Sequence, residues 1–291
     1  MFTGSLVPIV TPFRNGKLDR DGLERVIEHV LRAGSDGVIP CGTTGESATL
    51  SHEEHEDVIR WTIEIVRRRV PVIAGTGSNS TAEAIRLTKG AKDAGADGAL
   101  LISPYYNKPT QEGIYQHYRA VAEATHPLPL IVYNIPGRTG SKIDPATLAR
   151  LAQIPGVVGV KEATGSIEQT FDVIAATGGE FAVYSGEDTL NFPILAAGGR
   201  GLISAVANVA PKPLADMARA AREGRWEEAR RLHYELLPLV RILFIETNPI
   251  PVKTACSLLG LCSAEMRLPL TPMSEGNLAK LRQALKDQKL A

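Results

Sequence analysis

An excess of charge of either sign is missing from this chain of 291 residues: Lys+Arg and Asp+Glu both number 32, so the formal net charge is zero. Neither a basic excess nor a basic amphipathic stretch is present, which argues against a nucleic-acid or membrane-surface partner. Cysteine is scarce as well. Cys41, Cys256 and Cys262 have no CxxC spacing, and an odd number fits a reducing compartment better than a disulfide framework. No apolar run approaches the ~20 residues of a membrane span. The first residues lack a basic segment followed by a long apolar stretch, so no secretory leader is expected and a cytoplasmic location is the default. Histidine is limited to six, and the i, i+3 pair His52 and His55 has no evident third ligand nearby, which leaves a catalytic zinc site poorly supported. No P-loop appears, and no glycine-rich dinucleotide fingerprint follows a strand.

What is present is a regular alternation. The hydrophobic fraction of 44% and the length allow a large core. Eight short apolar or β-branched runs recur at intervals of roughly 20–35 residues, the period of a β-α unit. They are Leu6–Val10, Gly37–Cys41, Val70–Ala74, Gly98–Ser103, Leu128–Tyr133, Val157–Lys161, Phe181–Ser185 and Gly201–Val206. Helical spacing fills the gaps: Asp21–Ala33 aligns Leu23, Val26, Ile27, Val30 and Leu31. Ser51 with Glu54 forms a capping-box signature, and Thr81–Ala94 repeats the pattern. Ala33-Gly34-Ser35-Asp36-Gly37 recurs as Ala94-Gly95-Ala96-Asp97-Gly98 and, degraded, as Ala197-Gly198-Gly199-Arg200-Gly201. These read as helix-to-strand loops with left-handed glycine caps.

Eight units of one size predict an α/β fold, a (β/α)8 TIM barrel over residues 1–224, with a doubly wound open sheet as the fallback. After Val206 the strand signals stop. Pro211–Glu223, Trp226–Leu237, Pro249–Leu259 and Ser274–Lys286 read as helices, which predicts a C-terminal helical domain over 225–291.

In a barrel, the loops after the strands carry the chemistry. The run Val157-Val158-Gly159-Val160-Lys161 places a lysine at a strand tip. Burial there favours a neutral, nucleophilic amine; a lysine whose stem covers the strand end while its head reaches water is the other reading. Gly42-Thr43-Thr44-Gly45-Glu46 is either a carboxylate-gripping turn or an ordinary helix entry. Tyr105, Tyr106 and Tyr133 are either core phenols or members of a proton relay beside threonines and a lysine. Arg138 is a fork suited to a carboxylate, or a surface arginine. Ser185-Gly186-Glu187-Asp188 opposes a phosphate at the seventh strand, and Gly201-Leu202-Ile203-Ser204 would form a pocket wall.

Three motifs, Gly42-Thr43-Thr44-Gly45-Glu46, Tyr133-Asn134-Ile135-Pro136-Gly137-Arg138-Thr139 and Gly159-Val160-Lys161-Glu162-Ala163-Thr164-Gly165, are similar to those of the pyruvate-dependent class I aldolase family, which includes the N-acetylneuraminate lyases. The resemblance extends from Phe2-Thr3-Gly4-Ser5 to Asn248-Pro249-Ile250-Pro251-Val252-Lys253. It is greatest with members that condense pyruvate with L-aspartate 4-semialdehyde. Their product, 4-hydroxy-tetrahydrodipicolinate, leads to diaminopimelate and lysine. The resemblance implies a lyase that forms a Schiff base through Lys161, with Tyr133, Thr43 and Tyr106 as proton relay, Tyr106 coming from a neighbouring subunit. It implies Thr44, Gly186 and Ile203 around pyruvate and Arg138 on the carboxylate of the second substrate. No metal or organic cofactor is implied, because the covalent lysine performs the activation. The assembly implied is a homo-oligomer, commonly a tetramer arranged as a dimer of dimers. An allosteric L-lysine cleft would match Ser47, Ala48, His52, His55, Gly77, Asn79, Glu83 and Tyr105. Two positions depart from the family pattern: Gly137 replaces a common serine, and Glu187 stands where aspartate is expected.

Two competing readings remain. A sister aldolase acting on N-acetylneuraminate or a 2-keto-3-deoxy sugar acid would keep Lys161 and Tyr133 but use hydroxyl-binding groups rather than Arg138. A catalytically silent pyruvate or amino-acid sensor would have an incomplete catalytic set, whereas Thr43, Tyr106, Tyr133 and Lys161 are all present.

Overall fold

The structure, a computed structural model, describes residues 2–290. Strand β1 (Gly4–Pro8) is followed by a small antiparallel pair, β2 (Phe13–Arg14) and β3 (Lys17–Leu18). The remaining strands are β4 (Gly37–Ile39), β5 (Ile73–Gly75), β6 (Gly98–Ile102), β7 (Leu130–Asn134), β8 (Val157–Glu162), β9 (Ala182–Ser185) and β10 (Gly201–Ile203). Apart from the small pair, they form one parallel sheet in the order β4-β1-β10-β9-β8-β7-β6-β5. A parallel bridge between Val38 and Val72 joins its two ends, so the sheet closes into the expected (β/α)8 barrel.

The helices are α1 (Arg20–Arg32), α2 (His52–Val66), α3 (Thr81–Ala94), α4 (Gln111–Thr125), α5 (Pro136–Thr139), α6 (Pro145–Leu151), α7 (Ile167–Thr177), α8 (Asn191–Ala196), α9 (Pro211–Arg222), α10 (Trp226–Leu243), α11 (Ile250–Leu258) and α12 (Glu275–Asp287). The predicted capping box of α2 forms: Ser51 Oγ accepts from the Glu54 amide at 3.2 Å, and the Ser51 amide donates to the Glu54 carboxylate at 3.0 Å. α3 spans the predicted residues. α10 runs past the predicted end at Leu237 and continues through Pro238. A proline inside a helix costs about 3 kcal/mol, but Leu236, Leu239, Val240 and Leu243 are all buried along the same face and outweigh it.

The recurrent loop has a physical basis. Gly34, Gly95 and Gly198 all adopt positive φ (89°, 95° and 107°), the conformation a side chain resists. Two residues after each of the first two glycines, an aspartate caps a neighbouring strand: Asp36 Oδ2 accepts from the Ser5 amide, and Asp97 Oδ2 from the Val72 amide, both at 2.8 Å. Arg200 occupies this place in the degraded copy and offers only its carbonyl, which accepts from the Gly4 amide at 3.2 Å.

Strand alternation sends one face inward and the other toward the helices. Leu6, Ile39, Ile73, Leu100, Ile131, Tyr133, Ala182, Tyr184 and Ile203 form an apolar cluster inside the barrel. Outside it, α10, α11 and α12 share one apolar cluster with β1, α1, α2 and α9. The C-terminal helices therefore add to the barrel's own core, and they place Asn248 and Lys253 against the loop that follows β4. No helix among the described residues is long and apolar enough to cross a membrane.

Candidate active site

Two consecutive ionisable residues end β8 and go to opposite faces. Glu162 points outward, where its carboxylate accepts from the Asn134 amide nitrogen at 3.1 Å and the Thr164 backbone at 2.9 Å. Lys161 points into the barrel and is only 7% exposed. In register with it on β7 is Tyr133, and on β9 Tyr184. The Lys161 amine lies 4.2 Å from the centroid of the Tyr133 ring. Burial pushes its pKa down to about 8; Asp188 and Glu187 pull it back up, and Arg138 pushes it further down. The lysine with its head in water is thus the reading the geometry disfavours.

Burial also pushes the Tyr133 phenol up to about 12, with Arg138 and then the Thr43 side chain acting in the opposite sense. A phenol in that range stays protonated at neutral pH and can donate a proton.

Lys161 opens on a chamber of about 80 Å³, room for a few heavy atoms. It is lined by Thr43, Thr44, Tyr133, Arg138, Lys161, Gly186 and Ile203, to which the sequence had given roles, together with Glu187, Asp188 and Asn248, which its motifs contained without an assigned role, and Phe244, which it had not singled out. Gly186 approaches closely: a Cβ there would lie 2.7 Å from Lys161 Cγ and 2.8 Å from Cε. Thr43, Thr44 and Gly45 form a single tight turn, and Thr44 Oγ1 accepts from the Asn248 side chain at 3.0 Å. Arg138 sits on the one-turn helix α5 and donates to the Asn248 carbonyl at 3.0 Å, leaving guanidinium edge free for an anion. Position 137 imposes no steric demand, since a Cβ there meets nothing within 4 Å. A serine would fit, and the glycine alters only backbone freedom ahead of Arg138.

Asp188 is the acid that turns inward, 3% exposed, held by the Ser204 hydroxyl and by Asn191 at 3.1 Å. Burial pushes its pKa up to about 6, against the opposing effect of those hydrogen bonds. Glu187 at the chamber rim receives a hydrogen bond from Thr189 Oγ1 at 2.9 Å. The motif displayed both acids, but nothing in it said which would point inward. Asn248 had a signal only in its place at the head of the late motif; its contact with Thr44 spans 204 residues.

Tyr106 does not line the chamber. It is 88% exposed with φ of 70°, on the loop after β6. A large aromatic held outward on strained backbone cannot reach Lys161 of its own chain.

A larger cavity of about 450 Å³ shares Thr43, Tyr133, Arg138 and Asn248 with the chamber and runs outward past Ser47, Ala48, His52, His55, Gly77, Glu83 and Tyr105. Asn79 stands beside it, its amide donating to the Tyr105 carbonyl at 3.1 Å. His52 Nε2 is 2.7 Å from Glu83 Oε1, and the other Glu83 oxygen accepts from the Ser78 hydroxyl. His55 is tied to the Gly75 carbonyl at 2.8 Å.

Comparison with known proteins agrees with this geometry. The sequence profile of the dihydrodipicolinate synthetase family matches residues 1–288. The 4-hydroxy-tetrahydrodipicolinate synthase of Citrifermentans bemidjiense is 54% identical over 290 residues, covering 100% of both chains. Among solved structures, the chloride-inhibited dihydrodipicolinate synthase from Acinetobacter baumannii complexed with pyruvate is 48% identical, with a TM-score of 0.98 and 100% of each chain covered. The DHDPS from Cyanidioschyzon merolae with lysine bound is 41% identical, with a TM-score of 0.96, covering 100% of this chain and 99% of that one. A match of this extent, on a barrel whose buried lysine faces a tyrosine and a threonine turn, means that the chain belongs to the dihydrodipicolinate synthetase family.

Proposed function

We propose that the chain condenses pyruvate with L-aspartate 4-semialdehyde to give 4-hydroxy-tetrahydrodipicolinate. The observation that carries this is the buried Lys161 amine beside Tyr133 in a chamber that also holds Thr43, Thr44 and Arg138.

The neutral Lys161 amine attacks the ketone carbon of pyruvate. The resulting carbinolamine loses water as Tyr133, relayed through Thr43, protonates the departing hydroxyl, and an imine forms. Loss of a methyl proton turns the imine into an enamine, whose terminal carbon attacks the aldehyde of the semialdehyde. The amino group of the bound substrate then adds to the imine carbon and expels the Lys161 amine, which closes the ring and frees the enzyme. Each turnover joins two substrates and releases one water. Thr44, Gly186 and Ile203 enclose pyruvate, and Arg138 holds the carboxylate of the second substrate. An arginine at this place distinguishes the reading from a sugar-acid lyase, which needs hydroxyl-binding groups instead.

Tyr106 supports a homo-oligomer in which a neighbouring copy receives it, since it is exposed and strained here. The full assembly in this reading is a dimer of dimers. Residues 1–224 act as the catalytic barrel and 225–291 as the appended helices. L-lysine, the end product of the route, binds the outer cavity at Ser47, Ala48, His52, His55, Gly77, Asn79, Glu83 and Tyr105 and restrains the reaction. The residue types and the lysine-bound relative support this reading. The three unpaired, buried thiols and the biosynthetic role support a cytoplasmic location.

Borohydride trapping with pyruvate, followed by peptide mass mapping, tests the covalent step. A reduced adduct on Lys161 is expected. An adduct on another lysine, or none, would overturn the assignment. Condensation with a sugar aldehyde but not with the semialdehyde would favour the sister lyase.

A further inference from the structure

Unused by the reaction is a second buried lysine. Lys253 of α11 has 0% exposure, and its Nζ lies 2.5 Å from Glu46 Oε1, whose side chain is also fully buried. The Lys253 amine sits 4.1 Å over the Phe13 ring, and the Arg267 guanidinium 4.4 Å from the same centroid. Glu46 Oε2 accepts from the Arg267 backbone at 3.2 Å. Arg267 in turn holds both Glu54 oxygens at 2.5 Å and the Thr49 carbonyl at 2.9 Å.

Glu46 is not a bystander to the site. It follows the Thr43–Gly45 turn, adopts φ of 54°, and donates its amide to the Thr43 carbonyl at 3.1 Å. Three successive residues of this turn are gripped from elsewhere: Thr44 by Asn248, Gly45 by Thr11 at 2.7 Å, and Glu46 by Lys253. Asn248 and Lys253 flank the start of α11, so one rigid element fixes two points of the turn. A buried ion pair is a poor source of net stability, because desolvation offsets its attraction. Its value here is orientation of a left-handed residue that a plain apolar contact would not hold to one geometry.

We propose that Glu46 and Lys253 are positioning residues: their buried pair holds the Thr43–Thr44 turn in register with Lys161 and transmits the position of the C-terminal helices to the catalytic chamber. This rests on the reading of Lys161 as the nucleophile.

The test compares wild type with the double variant Glu46→Gln/Lys253→Met, which removes both charges together and leaves no orphaned ion. Borohydride adduct stoichiometry with pyruvate counts competent sites, and turnover is expressed per titrated site. A positioning role predicts full titration with kcat per site lowered about 10- to 100-fold and a slower approach to the adduct. A merely structural role would lower the number of sites and leave turnover per site unchanged; a per-site kcat within about twofold of wild type overturns the proposal. Glu46→Gln alone, which keeps the side-chain volume and an acceptor for Lys253, is measured in the same way and decides the question if the double variant does not fold. Per-site turnover lowered severalfold supports the proposal, and wild-type turnover overturns it. Absence of any Lys161 adduct in the wild-type enzyme would overturn the functional reading itself and this proposal with it, an outcome separate from an unaltered variant.

Discussion

The Lys161 amine and the Tyr133 ring, 4.2 Å apart on paired strands, share one feature: burial shifts the titration of each toward its neutral form. The aromatic face excludes water from the amine while the phenolic hydroxyl remains available as a proton donor. The proposed nucleophile and the proposed acid thus occupy one register of the barrel.

This pairing sets a pH dependence. Lysine gains its nucleophilic form as pH rises through its pKa, here about 8. Adduct formation with pyruvate should therefore rise about tenfold per pH unit below 8 and level off above it. Tyr133→Phe keeps the ring and removes the hydroxyl. It should lower kcat by about 10²- to 10⁴-fold while the inflection stays near pH 8. Trapping rates between pH 6 and 9 check both, and an inflection near 10 would refute the desolvated amine.

Lys161→Met should abolish the adduct yet stabilise the fold at neutral pH. The folded pKa lies below the ordinary value of 10.5, so the charged amine is penalised on folding. That penalty is full below about pH 8, fades between pH 8 and 10.5, and is gone above 10.5, where both states are neutral. Urea unfolding at pH 7 should show a gain of up to about 3 kcal/mol that shrinks toward pH 10. A loss of stability at pH 7 would contradict this.

At Gly186 the constraint is space. An alanine Cβ would press on Lys161 at 2.7–2.8 Å, and the amine must move. Gly186→Ala should reduce kcat/KM for pyruvate by about 10- to 100-fold, with a smaller effect on stability of about 1–3 kcal/mol. Wild-type kinetics would mean that Lys161 has slack the structure does not show.

In the proposed reaction Arg138 holds the carboxylate of the second substrate. Arg138→Ala should leave pyruvate trapping intact while raising the semialdehyde KM or cutting kcat by about 10²-fold. Arg138→Lys should recover little, because a point charge does not replace a fork. Loss of the pyruvate adduct itself would reassign the arginine to the first substrate.

L-lysine should inhibit steady-state condensation, and Glu83→Ala should weaken that inhibition without altering uninhibited turnover. Glu83 already serves His52 and Ser78, so the variant frees both partners. Unchanged activity at millimolar lysine would remove the outer cavity from regulation.

Much of the barrel was legible because βα units repeat. Runs such as Gly98–Ser103 carry four apolar residues behind a glycine loop, and the structure strands them as Gly98–Ile102. Boundaries slipped where local rules met tertiary packing. The β10 strand stops at Ile203 rather than Val206 because the next residues coil into a tight turn that packs on β1. The helix expected over Trp226–Leu237 instead runs to Leu243, with Pro238 carried inside α10 by the buried face around it.

The sequence alone determined the alternation that makes a barrel, the lysine at the tip of the sixth run, and the motif set that names the family. These are local properties: periodicity, strand-end placement and contiguous motifs need no knowledge of distant residues. Only the tertiary structure decided which groups share a chamber. It turned Asp188 inward, swung Tyr106 away from its own site, and brought Asn248 to Thr44 and Lys253 to Glu46 across more than 200 residues. The physical reason is that closure of the sheet and docking of α11 are collective events. Burial and charge pairing arise at their end, and no window of sequence contains both partners.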